Sequence, residues 1–80
     1  MRRLEVRAEW DAEAGVWYVV ESDVPGLAAE AETVEGLLDK LRSLVPELVE
    51  LNRHLLGFEP DPELPVHLLT ERIENFAGRG

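Results

Sequence analysis

Three carboxylates and two histidines are the residues whose types and positions could support chemistry in this chain. Asp11, Glu13 and Asp23 fall at the ends of two adjacent expected strands, and converging carboxylates are what hold paired magnesium ions for phosphodiester hydrolysis. Such a centre draws three or four acids from strand centres and other elements. The inward strand centres are expected to be Val6, Ala8, Tyr18 and Val20, so the three acids read as turn and cap residues in solvent. His54 and His67 stand in different elements without a ligand spacing between them, and no cysteine exists to complete a zinc site. Ser22, Thr33, Ser43 and Thr70 lack a nucleophile-elbow context, and no glycine-rich phosphate loop follows a strand. The expectation is a non-catalytic protein with no metal and no cofactor; a metal-dependent nuclease is the remote alternative.

The elements that must position these residues follow from period and punctuation. Leu4, Val6, Ala8 and Trp10 alternate with Arg3, Glu5, Arg7 and Glu9, the period of a half-buried strand. Residues 11–15 form a polar, glycine-terminated connection, and 16–22 is a β-branched and aromatic run, so the two should pair as an antiparallel hairpin. Placing Trp10 opposite Val16 sets Ala8 against Tyr18 and Val6 against Val20, whereas a one-residue slip would set Val6 against Glu21. That register leaves Trp17 and Val19 on the opposite face, among Glu5, Arg7 and Glu9. Pro25-Gly26 supplies the two middle positions of a type II turn. Leu27, Ala29 and Ala31 then read as a short third strand with small inward residues, over which a helix can lie close.

Thr33 is the expected N-cap of a long helix, with Glu35 in its first turn. Leu37, Leu38, Leu41, Val45, Leu48 and Val49 form a helical stripe that should pack on the sheet. Pro46 removes one backbone hydrogen bond and predicts a kink, while the apolar pattern continues to Leu55-Leu56 with Gly57 beyond as a C′ residue. After a proline-rich loop, Val66, Leu68 and Thr70 fit a strand whereas Leu69, Ile73 and Phe76 fit a helical spacing; with Pro65 at its start and no helix cap, 66–72 is expected to form a fourth, edge strand. The expected fold class is α+β: a β-β-β-α-β module with a three- to four-stranded antiparallel sheet and one long helix on one face. It is a single domain over 1–80, with its core in 3–72 and a tail at 73–80.

The formal charge is −9, with 17 acidic residues against 8 basic ones. Such a surface repels phosphate backbones, so direct nucleic-acid binding is not expected and a basic protein partner is favoured. No stretch is long enough to span a bilayer, nothing near the N-terminus resembles a signal peptide, and cysteine is absent, which together suit a cytoplasmic location. Two apolar groups are candidate interfaces. Trp17 and Val19, beside Arg7, would form an exposed island suited to a cation–π contact or an interface anchor. Leu51, Leu55, Leu56 and Phe58 would extend past the strands able to cover them, and self-association into a homodimer or homotetramer would bury them.

The order strand, strand, strand, helix, strand carries Trp10-Asp11-Ala12-Glu13-Ala14-Gly15-Val16-Trp17, Asp23-Val24-Pro25-Gly26-Leu27, Glu30-Ala31-Glu32-Thr33 and Leu44-Val45-Pro46-Glu47-Leu48. In these residues the chain resembles the HicB-like superfamily over roughly its first fifty positions, and looks like a subgroup of short proteins of unassigned function. The resemblance implies a truncated ribonuclease-H-like module serving as the toxin-neutralising half of an antitoxin. Full HicB antitoxins bind HicA, a small basic toxin that cleaves RNA, and many carry a further C-terminal DNA-binding domain. Only a short tail follows the expected fourth strand, so a DNA-binding segment is not expected here. The functional expectation is therefore an antitoxin-like binding module. The alternative is an orphan oligomerising domain without a toxin.

Overall fold

In the computed structural model, which describes residues 3–60 and 63–77, the elements are β1 (Leu4–Asp11), β2 (Val16–Ser22), β3 (Glu30–Ala31), α1 (Val34–Leu51), a 3-10 turn (Arg53–Leu55) and β4 (Val66–Glu71). The four strands form one sheet in the order β3-β2-β1-β4, with α1 across one face, an α+β architecture. The sheet is mixed: β2 pairs antiparallel with β1 and with β3, whereas β4 runs parallel to β1. This corrects the expected all-antiparallel sheet. The long excursion through β3 and α1 returns the chain to the same end of the sheet, and a parallel neighbour requires such a crossover. β4 is an edge strand, as expected. Residues 61–62 of the proline-rich loop and 78–80 of the tail lie outside the described residues.

Each element ends where local chemistry dictates. Gly26 adopts φ 77°, and Leu27 N–H donates to Val24 O at 3.2 Å, closing the Pro-Gly turn in the expected geometry. Thr33 caps α1 through its hydroxyl, which accepts from Gly36 N–H at 2.9 Å. α1 runs through Pro46 and stops at Leu51, short of the expected Leu55-Leu56. Asn52 ends it, with both its backbone N–H and its side-chain Nδ2 bonding to Leu48 O. A left-handed Gly57 follows the 3-10 turn.

The core consists of Leu4, Val6 and Ala8 from β1, Val24 from the turn, and Leu37, Leu41 and Val45 from α1. Their spacing along α1 is the inner half of the stripe read from the sequence. Trp17, Val19, Leu48, Val49, Phe58, Leu64 and Leu68 pack around them, half-buried. The hairpin register differs from expectation. Trp10 pairs with Trp17 and Ala8 with Val19, then a β-bulge at Val20 shifts the ladder so that Arg7 pairs with Glu21 and Val6 with Ser22. The extra residue resolves a conflict that no regular register can. Without it, Trp17, Val19 and Glu21 would share one face; with it, Trp17 and Val19 turn toward α1 while Glu21 joins Arg7 on the open face. Tyr18, expected inward, is 37% exposed as a result.

Candidate functional site

The face of the sheet away from α1 is a lattice of charge centred on Arg7. Its guanidinium bonds to Glu9 at 2.9 Å on its own strand, to Glu21 at 3.2 Å on β2 and to Glu71 at 2.6 Å on β4. Glu71 foremost and then Glu21 raise the Arg7 pKa, so the group stays cationic at any biological pH. One row further along, Glu5 lies between Arg3 at 2.5 Å and His67 Nδ1 at 2.7 Å. The hydrogen bond from His67, followed by that from Arg3, holds the Glu5 carboxyl below its ordinary value. Because residues paired in a parallel ladder face the same way, Glu5 with His67, Arg7 with Leu69 and Glu9 with Glu71 make three rows across β1 and β4. Leu69, 47% exposed, is an apolar member of this face.

The candidate interface residues are divided by this geometry. Arg7 occupies the middle of the open face. Trp17 and Val19 lie on the helix side, packed against the core, which corrects their expected exposure beside Arg7; the bulge is the cause. The cation held against a tryptophan is Arg72, 4.3 Å above Trp10, whose ring lies 5.4 Å from that of Trp17. Leu51 and Leu55, 71% and 60% exposed, do project beyond the sheet at the end of α1. Leu56 is half-buried, and Phe58 folds back onto the core.

The carboxylates weighed as a metal centre have other work. Asp11 Oδ1 accepts the backbone N–H groups of Glu13 at 3.0 Å and Ala14 at 3.2 Å, organising the hairpin turn. Asp23 Oδ2 accepts Glu5 N–H at 2.8 Å at the other end of the hairpin, roughly 20 Å away along the strands. No group of three or more His, Asp or Glu side chains that could hold a metal ion occurs among the described residues. His54 is exposed in the 3-10 turn, far in sequence and element from His67 on β4. Among the described residues, no helix is long and apolar enough to cross a membrane.

Two further features complete the surface. Each described arginine is bonded to at least one carboxylate: Arg3 to Glu5, Arg7 to its three, Arg42 to Asp39, Arg53 to Glu50 and Glu59, and Arg72 to Glu74. Glu30, Glu32 and Glu35 make no ion pair among the described residues and stand exposed along β3 and the start of α1. Lys40 on α1 donates to the backbone carbonyl of Glu30. A half-open groove of about 350 Å³ runs between α1 and the proline-rich loop, lined by Leu4, Val45, Pro46, Val49 and Leu64 with Glu50 and Arg53 at its rim.

Glu21, Leu69, Glu71 and Arg72 were not singled out by sequence. The period-two pattern of His67, Leu69 and Glu71 was the available signal, but it becomes meaningful only once β4 is placed beside β1.

No curated protein matches the chain. It is similar to the crystal structure of the hypothetical protein TTHA1013 from the extremely thermophilic bacterium Thermus thermophilus, at 48% sequence identity and a TM-score of 0.68. The match covers 96% of this chain and 100% of that one. A family model described as a domain of unknown function, DUF1902, matches residues 3–77. On that match, spanning nearly its whole length, the chain belongs to the DUF1902 family.

Proposed function

We propose that this protein is a non-catalytic, cytoplasmic binding module of antitoxin type, which occupies the basic RNA-binding surface of a small RNA-cleaving toxin like HicA. The observation that carries the reading is the distribution of charge. Internal pairing neutralises the described arginines, while Glu30, Glu32 and Glu35 stand exposed together on one flank and contribute three of the negative charges behind the net −9. Such a flank steers a basic partner toward the sheet edge and repels RNA, which carries the same sign. The turn-forming roles of Asp11 and Asp23 favour binding over hydrolysis. The sequence resemblance to HicB supplies the class of partner.

The test asks whether a small basic protein is encoded beside this chain and, where one is, measures its binding. Binding to it should block its cleavage of RNA. The affinity should fall as salt rises from about 0.05 to about 0.3 M, and fall again when Glu30, Glu32 and Glu35 are all replaced by lysine. Affinity indifferent to salt and to this charge reversal would refute the reading. A second reading, an orphan oligomerising domain, is favoured by the exposed Leu51 and Leu55 at the end of α1. It predicts self-association with no effect on any RNA-cleaving protein.

A further inference from the structure

We infer that β4 is a self-pairing edge, through which two copies of this chain join their sheets into one eight-stranded sheet about a two-fold axis at Leu69. The inference is independent of any toxin partner.

The two edges of the sheet are unlike. β3 is two residues long, Glu30 and Ala31, and is followed by Glu32, with the Glu30 carbonyl already taken by Lys40. Short length and charge are the usual devices that stop an edge from recruiting another strand. β4 has six residues, no proline within it and no bulge against β1. Its backbone is half used. Leu4 N–H donates to Pro65 O, and Leu4 pairs with Val66, so by the alternation of a parallel ladder His67, Leu69 and Glu71 turn their backbone groups toward β1. Val66, Leu68 and Thr70 therefore turn theirs outward, where β4 has no neighbouring strand among the described residues.

A second β4 placed antiparallel fits these outward groups, and the side chains select one register. An antiparallel pair has its dyad perpendicular to the sheet, so opposed residues share a face and their numbers sum to an even value. With Leu69 opposite its own counterpart, Leu68 and Thr70 of the two copies exchange backbone hydrogen bonds. His67 of each copy then faces Glu71 of the other. On the open face Glu5 and His67 of one copy then stand in line with Glu71 and Glu9 of the second, and Arg7 of the second copy reaches that Glu71 from the adjoining row. Leu69 is covered at the non-hydrogen-bonded site where side chains come closest. Shifting by two residues in either direction sets Leu69 opposite His67 or Glu71 and loses both matches. Both helices lie on the same side of the joined sheet.

The test reads assembly of the full chain by sedimentation. Wild type is expected to be dimeric. Leu69→Glu and Leu69→Arg, changes at an exposed side chain, are each expected to be monomeric with unchanged far-ultraviolet circular dichroism, because each sets like charges against each other on the dyad. An equimolar mixture of the two variants is expected to restore the dimer, since opposite charges then meet. As the chain has no cysteine, Leu69→Cys supplies a single thiol that should cross-link two copies on mild oxidation. A monomeric wild type overturns the proposal. So does a dimer that survives Leu69→Glu but is dispersed by Leu55→Glu, which would place the interface at the end of α1.

Discussion

Replacing Leu37 by alanine tests the packing on which every surface described above depends. Leu37 is fully buried, at 0% exposure, in one core cluster with Val6 and Ala8, whose exposures are 1% and 0%. Removing three carbons forfeits about 2.4 kcal/mol of transfer free energy at about 0.8 kcal/mol each. The cavity left in the core adds to this, for a total of about 3–4 kcal/mol. At 80 residues the whole stability is of order 4–12 kcal/mol, so the variant should fold but only by a narrow margin. In urea, with a slope of about 1 kcal/mol per molar, the midpoint should fall by about 3 M at fixed protein concentration. Leu38→Ala is the control, because Leu38 is half-buried and lies outside the core cluster. It should cost under about 1 kcal/mol. If the two variants lost equal stability, or Leu37→Ala shifted the midpoint by less than about 1 M, the helix would not be seated on the sheet as described.

Other consequences are as direct. Thr33→Ala removes the hydroxyl that accepts Gly36 N–H and should cost about 1 kcal/mol in the same urea assay, with Thr33→Ser close to wild type; equal stability of all three would refute the cap. Gly26→Ala should cost about 1–2 kcal/mol through its φ of 77° alone, since the new methyl would meet Leu48 only at an ordinary 3.9 Å; a neutral effect would deny the left-handed turn. The Glu5 carboxyl titrates below its ordinary value because His67 and Arg3 favour its charged form, so its contribution to stability is complete above the unfolded-state value and is lost as pH falls through the lowered folded value. His67→Ala should therefore move the Glu5 carbon-13 titration upward, and an unmoved curve would remove His67 as the cause.

What the sequence determined by itself is what neighbouring residues impose on one another. The alternation from Leu4 to Trp10, the Pro25-Gly26 turn, the Thr33 cap, and the inner stripe of Leu37, Leu41 and Val45 all act within a few positions, and each was readable in the chain alone. The side on which Trp17 and Val19 lie was not readable. One extra residue at Val20 changes the face of everything on one side of it, and only the joint requirement to cover two apolar residues and expose Glu21 selects that bulge. The open-face lattice belongs to the same category. Arg7 and Glu71 stand 64 residues apart and meet because the crossover returns β4 parallel to β1, a pairing that local preference does not encode. Burial of the helix stripe fixed the two layers. Strand order and register, settled by the whole fold together, decided which charges face solvent and which edge remains open to a partner.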